Sequence, residues 1–256
     1  MPNTANITAP ITIVGNGRSG TSLISQIFHA HPNCHYVGET VNLIHSVSHA
    51  MTCSLPESRW PDVPDAIRGH FLQFFPSPAS RWMHKPIGVP VTINFYRDRE
   101  DEFLDWFWQV LEDVFPDACY LTVLRHPLDI LHSSHEWWGR SYAAIANSNR
   151  LVAKLITHPR SKVDYAVHFE EFVASPESSV RSLLDHAELP FHGDCLQPFE
   201  RQHASKRDHG PNAAARGSSH QQNWQKIDQS VLTDDYRSSV EACWSKFGLE
   251  FGGWTA

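Results

Sequence analysis

Near the amino end stands Gly15-Asn16-Gly17-Arg18-Ser19-Gly20-Thr21-Ser22, where three glycines fall within six positions beside one arginine and three hydroxyl side chains. Glycine lets a backbone turn where a Cβ would be in the way. The N–H groups of such a loop, with the positive end of a helix behind it, converge on an anion, and Arg18 adds a full charge. The run is not a nucleoside-triphosphate loop of the Walker kind. That pattern asks for Gly-x4-Gly-Lys-Ser/Thr, and here Thr21 stands where the lysine belongs. The missing lysine normally reaches the β/γ-phosphates, so its loss argues against ATP or GTP hydrolysis; the cation has moved to Arg18. A second grip pairs Arg125 with Ser133, eight residues apart. An arginine can hold a phosphate through two hydrogen bonds, and a serine adds one more. Taken alone, Arg125 suits a structural ion pair equally well, and the glycines suit a turn that packs a helix onto a sheet. Together, two grips imply a ligand with two separated anionic groups.

These residues need elements to carry them. Ile11 to Val14 reads as a short buried strand, and Leu23, Ile24, Ile27 and Phe28 mark one face of a helix that Pro32 stops. His35 to Gly38 is a second strand, ending at Glu39-Thr40. Asp98 to Val114 has helical spacing, and Cys119 to Leu124 is a buried strand leading into Arg125. Pro127 suits the first position of a helix that carries Ser133 and ends near Gly139; another helix spans Tyr142 to Thr157. Val163 to Phe169 reads as a further strand, Ser175-Pro176-Glu177 opens a helix reaching Glu188, and a last helix runs from Thr233 to Phe247, closed by Gly248. Strands alternating with helices predict an α/β fold, a P-loop-type parallel sheet flanked by helices on both faces. Ligands of such sheets bind beyond the carboxyl ends of the strands, where both grips fall.

One domain is the economical count for 256 residues. Within it, residues 1–9 read as a flexible terminus. Residues 41–98 form an insert whose seven prolines exclude a long helix or a set of central strands. Its aromatic side chains argue against disorder, so we assign it to an acceptor pocket. Residues 203–222, without apolar periodicity, read as a mobile loop. A net charge of −7 argues against nucleic acid as a partner, and Lys supplies only six of the 21 basic residues, a bias that suits planar anion recognition. Five cysteines without a C-x-x-C pair fit a reducing compartment. No signal-like segment and no long apolar run appears, so a cytoplasmic protein that does not span a membrane is expected. The 17 histidines match no zinc-protease pattern and lack ligand spacing, and no metal is expected.

Arg18-Ser19-Gly20-Thr21-Ser22 resembles the 5′-phosphosulfate loop of sulfotransferases that use 3′-phosphoadenosine 5′-phosphosulfate (PAPS). Arg125 and Ser133 resemble that family's 3′-phosphate motif at the same spacing. His31-Pro32 followed by Gly38-Glu39-Thr40 is similar to the corresponding segment of tyrosylprotein sulfotransferases, whose matching glutamate is the catalytic base. Lys85-Pro86 resembles the element whose lysine assists sulfuryl transfer. Phe115-Pro116-Asp117-Ala118 and His168-Phe169-Glu170-Glu171-Phe172 with Ser175-Pro176 match two more landmarks, so that the likeness spans about residues 11 to 190. Phe169 departs from it, standing where a tyrosine usually contacts the adenine; it keeps a ring for stacking and loses the hydroxyl. Arg216-Gly217 is the best match for the carboxyl-terminal 3′-phosphate element.

The resemblance implies a PAPS-dependent sulfotransferase with Glu39 as base, Lys85 and Arg18 as charge stabilisers, and Ser19, Gly20, Thr21 and Ser22 as the cradle. Arg125, Ser133, Arg216 and Gly217 would hold the 3′-phosphate and Phe169 the adenine. PAPS would be a co-substrate, with no metal required. A non-catalytic adenosine-bisphosphate sensor or a kinase-like P-loop transferase is the alternative, and Glu39 with Lys85 favours the enzyme because a sensor uses neither. A small hydroxylated molecule or carbohydrate is preferred as acceptor over protein tyrosine.

Overall fold

A computed structural model describes residues 10–39, 81–85, 100–114, 116–200, 227–251 and 253–254; for residues 35–39 and 81–85, and at a few helical positions, it describes the backbone alone. The order is β1 (Ile11–Ile13), α1 (Thr21–Ala30), β2 (Cys34–Glu39), β3 (Arg81–Lys85), α2 (Glu100–Val114), β4 (Cys119–Leu124), α3 (Pro127–Trp138), α4 (Tyr142–Thr157), β5 (Tyr165–His168), α5 (Phe169–Ala174), α6 (Pro176–His186), a 3-10 turn and α7 (Gln197–Glu200), then α8 (Asp234–Ser245). The strands form one sheet in the order β2-β3-β1-β4-β5, and every adjacent pair is parallel. All five carboxyl ends therefore open on one edge. Glu39, Lys85, the loop after β1, Arg125 and Phe169 each lie at or just past such an end.

Alternation along the strands explains why both faces of this sheet are covered. Leu121 and Val123 of β4 pack with Ile11 and Ile13 of β1 and with α1 and α6 on one face. Tyr120 and Leu124 turn the other way, into a core with Leu104, Phe107, Trp108 and Leu111 of α2, Leu151 and Leu155 of α4 and Val240 of α8. Trp108 satisfies its indole N–H in that core by donating to the Leu155 carbonyl at 2.8 Å. His31, after α1, is buried and structural: its Nδ1 accepts from Asn33 N at 3.1 Å, so its Nε2–H donates to the Pro190 carbonyl at 2.8 Å. Thr233 caps α8 by accepting from Tyr236 N, and Ser141 caps α4 from Ala144 N. Gly139 closes α3 in the left-handed conformation (φ 63°).

Two expectations need correction. The segment 41–98 was expected to hold no central strand, yet β3 lies within it, between β2 and β1. Arg81-Trp82-Met83-His84-Lys85 has no apolar run, and its place comes from long-range parallel pairing, Ile11 with Met83 and Thr12 with His84. Phe169 was expected to end a strand; it opens α5 instead. The remainder of 41–98, the terminus 1–9 and the loop 203–222 fall outside the described residues, as do Arg216 and Gly217.

Candidate active site

The loop between β1 and α1 is built on two left-handed residues, Arg18 (φ 68°) and Gly20 (φ 109°), with Ser19 between them. Such alternation turns successive N–H groups to one side, the geometry of an anion nest. Gly20 is needed twice over. Its φ is one that side chains rarely adopt, and a Cβ there would stand 2.3 Å from the Phe169 ring. A Cβ at Gly17 would stand 2.5 Å from the tip of the half-exposed Trp138 ring, which would have to move aside. Ser19 is committed inside the loop: its hydroxyl donates to the Asn16 carbonyl at 2.7 Å. Its N–H donates to the same carbonyl at 3.3 Å, so Ser19 shapes the loop with both groups. Gly20 brings no capping side chain to α1 and no acidic residue stands in its first turn, so the positive helix end suits an anion.

A left-handed arginine carries a conformational cost, of about 1–3 kcal/mol for a residue held in such a region. Neighbours hold it there. Arg125 Nη1 donates to the Arg18 carbonyl at 2.9 Å, and Arg18 Nε donates to Ser133 Oγ at 3.1 Å. The two expected grips are thus one cluster, with Ser133 engaged by Arg18. Trp137, one turn beyond Ser133 on α3, lies under the Arg18 guanidinium at 4.7 Å. Arg125 lies over the Phe169 ring at 5.0 Å. Phe169 is only 4% exposed, so it supports Gly20 and Arg125 and offers no open face to an adenine. Glu170, the next residue, accepts from His126 N at 3.0 Å and so ties the start of α3 to α5.

Electrostatically the cluster is incomplete. Burial, and then the charge of Arg125, holds the Arg18 guanidinium below its ordinary range. Burial does the same to Arg125, opposed by the more distant charges of Asp129 and Glu170. Neither arginine has a carboxylate within ion-pair distance among the described residues. Two half-buried like charges with no carboxylate at bonding distance are an arrangement that a bound anion would stabilise.

At the other side of β1, Glu39 and Lys85 are register partners across β2 and β3, following an irregularity of the pairing after Tyr36. Bulges of this kind are common beside active sites, where they re-aim a side chain. The backbone thus brings together the two residues expected to take a proton and to stabilise charge. Thr21 is buried at the start of α1, and Ser22 is half-buried. Sequence reading missed Trp137 and Trp138, which are 48% and 46% exposed despite their size. The signal was present in the i, i+4 spacing of Ser133 and Trp137, which puts both on the face that meets Arg18. No group of three or more His, Cys, Asp or Glu that could hold a metal occurs among the described residues. No described helix is long and apolar enough to cross a membrane.

Comparison with known proteins adds a family. Residues 10–193 match the model of the "Sulfotransferase family". Among solved structures, the sulfotransferase domain from the Synechococcus PCC 7002 olefin synthase is similar over 98% of both chains, at 16% identity and a TM-score of 0.61. The sulfotransferase domain from the curacin biosynthetic pathway is similar over 96% of this chain and 100% of its own, at 15% identity and a TM-score of 0.55. At such identities the likeness is one of fold. No curated protein sequence matches the chain.

Proposed function

The chain belongs to the sulfotransferase family, and from that premise we propose that it moves a sulfuryl group from PAPS to a hydroxyl of a small molecule or carbohydrate. The observation that carries the donor assignment is the pair Arg18 and Arg125, interlocked, half-buried and without a carboxylate partner among the described residues. PAPS presents two separated anionic groups, and the site offers two cationic arms. The loop N–H groups, the start of α1 and Arg18 take the 5′-phosphosulfate. Arg125 takes the 3′-phosphate, joined by Ser133 once Arg18 turns from it to the ligand, with Arg216-Gly217 assigned to the same phosphate by resemblance.

Glu39 acts as general base, in the segment that is similar to tyrosylprotein sulfotransferases. It takes the proton of the acceptor hydroxyl as that oxygen bonds to sulfur. The bond from sulfur to the bridging oxygen breaks on the opposite side, leaving adenosine 3′,5′-bisphosphate. Lys85, register partner of Glu39, offsets charge on the sulfuryl oxygens, and Arg18 meets the charge left on the 5′-phosphate. In-line transfer of this type depends on positioning and charge stabilisation, which the shared sheet edge supplies.

Thermal unfolding with two nucleotides tests the donor. Adenosine 3′,5′-bisphosphate at 100 times its dissociation constant is expected to stabilise the fold by about 2.7 kcal/mol. ATP, lacking the 3′-phosphate, is expected to do much less. Equal shifts would remove PAPS as the donor. Tight bisphosphate binding without turnover of PAPS over phenols, steroids, sugars and peptides would instead mark a sensor.

A further inference from the structure

Behind the loop, on the face of the sheet covered by α4 and α8, lies a cavity of about 30 Å³. Five of the side chains that line it are Asn16, Thr122, Arg125, Asn149 and Tyr236. Each of the five has one buried polar atom without a hydrogen bond of ordinary geometry among the described residues: Asn16 Oδ1, Thr122 Oγ1, Arg125 Nε, Asn149 Nδ2 and Tyr236 Oη, the last two side chains standing near enough to interact with each other. Thr122, Asn149 and Tyr236 are more than nine-tenths buried. One such atom left unpaired costs about 1–3 kcal/mol, and a partner held in the cavity would serve several of them at once.

The chemistry of the five atoms identifies it. Arg125 Nε–H and Asn149 Nδ2–H only donate, Asn16 Oδ1 only accepts, and the Thr122 and Tyr236 hydroxyls do either. Burial holds the Tyr236 hydroxyl protonated well above the ordinary tyrosine range, so it keeps its donor. Water gives two hydrogen bonds and accepts two, and this set matches it. A water needs roughly 10–15 Å³ of such space and two to four polar partners, so the cavity has room for two.

The position gives the set its meaning. Asn16 opens the anion loop, and its carbonyl already accepts from the Ser19 hydroxyl. Arg125 holds the Arg18 carbonyl with its outer nitrogen, lines the cavity, and keeps its buried Nε without a hydrogen bond. Asn149 and Tyr236 belong to α4 and α8, which reach no anion themselves. We infer that one or two buried waters fasten Asn16 and Arg125 to Asn149 and Tyr236, making the last two positioning residues for the anion loop. The role in donor binding rests on the proposed donor; the water site does not.

A crystal structure at high resolution, with affinity measurements on Tyr236→Phe and Asn149→Leu, tests this. One or two ordered waters within hydrogen-bond distance of at least three of the five atoms are expected. A dry cavity overturns the inference, whatever the donor proves to be. Tyr236→Phe keeps the ring and removes the hydroxyl, and its affinity for adenosine 3′,5′-bisphosphate is expected to fall about three- to tenfold, the worth of one hydrogen bond. Asn149→Leu is expected to do the same. A fall in melting temperature with unchanged affinity in both variants would make the two residues structural and overturn the positioning role. A wild-type protein that holds the waters but binds no bisphosphate would remove PAPS and leave the water site standing.

Discussion

Two arginine clusters in this molecule differ in what surrounds them. Arg150, on α4, donates to both carboxylate oxygens of Glu100 at 2.7 and 2.6 Å and to Asp235 at 2.9 Å, while Lys154 bonds Glu100 at 2.9 Å. That network ties α2, α4 and α8 together with every charge answered. Its bonds to Glu100 are the largest influence on the Arg150 guanidinium and hold it above its ordinary range. Arg18 is driven the other way by burial and then by the charge of Arg125, and Arg125 by burial, which Asp129 and Glu170 oppose without a bond. An arginine with its carboxylate in place is finished as structure. A pair held together by carbonyl, hydroxyl and aromatic contacts has its charge unanswered at bonding distance among the described residues, which is why we propose it for the anionic donor.

The contrast is broken or sharpened by substitution, and the largest effect is expected where chemistry and not binding is removed. Glu39→Gln keeps shape and hydrogen bonding but cannot take a proton, so turnover is expected to fall by about 10²- to 10⁴-fold. Affinity for the bisphosphate product should hold, because the proposed base faces the acceptor. Near-native turnover in a steady-state assay would clear Glu39 of this role and pass it to a histidine such as His84 on β3.

Next come the arginines themselves. Arg125→Ala is expected to weaken adenosine 3′,5′-bisphosphate by about 1.5–3 kcal/mol, the worth of a charge-assisted bond. Adenosine 5′-phosphosulfate, which has no 3′-phosphate, should lose less, and only through the slackened Arg18 carbonyl. Calorimetric titration of both ligands separates the two. Equal losses would make Arg125 a structural residue of the loop. Arg150→Met should invert the pattern: a loss of about 1–3 kcal/mol in unfolding free energy, from leaving partly buried Glu100 under-paired, with ligand affinity unchanged. If Arg150→Met weakened the ligand as much as Arg125→Ala, the two clusters would not differ as described.

How far the sequence carries this picture depends on the range of the forces involved. The strand Cys119–Leu124 and the helix Tyr142–Thr157 were legible to the residue, because burial on both faces leaves an apolar run in one and helical spacing in the other. Strand β3 was not, since Arg81, His84 and Lys85 give no apolar run and only parallel neighbours far along the chain place it. In the site, glycine spacing predicted the turn after β1, and Pro127 predicted the helix that carries Ser133. Which arginine takes Ser133 was not legible, because that follows from the left-handed turn at Arg18. The burial of Phe169 was not legible either, since it depends on Gly20 approaching the ring.

The smallest effect concerns acid, and it separates the clusters without any ligand. Burial alone would raise the Glu100 carboxyl, but the bonds to Arg150 and Lys154 outweigh it and hold the group below its ordinary range. A carboxylate whose folded pKa is depressed binds fewer protons folded than unfolded in the window between the two values. Its contribution to stability is therefore complete above the unfolded value, roughly 4.3, and is lost as pH falls through the folded one. Denaturant unfolding of the wild type is expected to show that acid-side loss, and Glu100→Gln, which has no such proton to bind, is expected to flatten it. Arg18→Met should leave the acid slope as it is, because no carboxylate answers Arg18. A slope that Glu100→Gln does not change, or that Arg18→Met removes, would mean that the carboxylate pairing distinguishing the two clusters has been assigned to the wrong one.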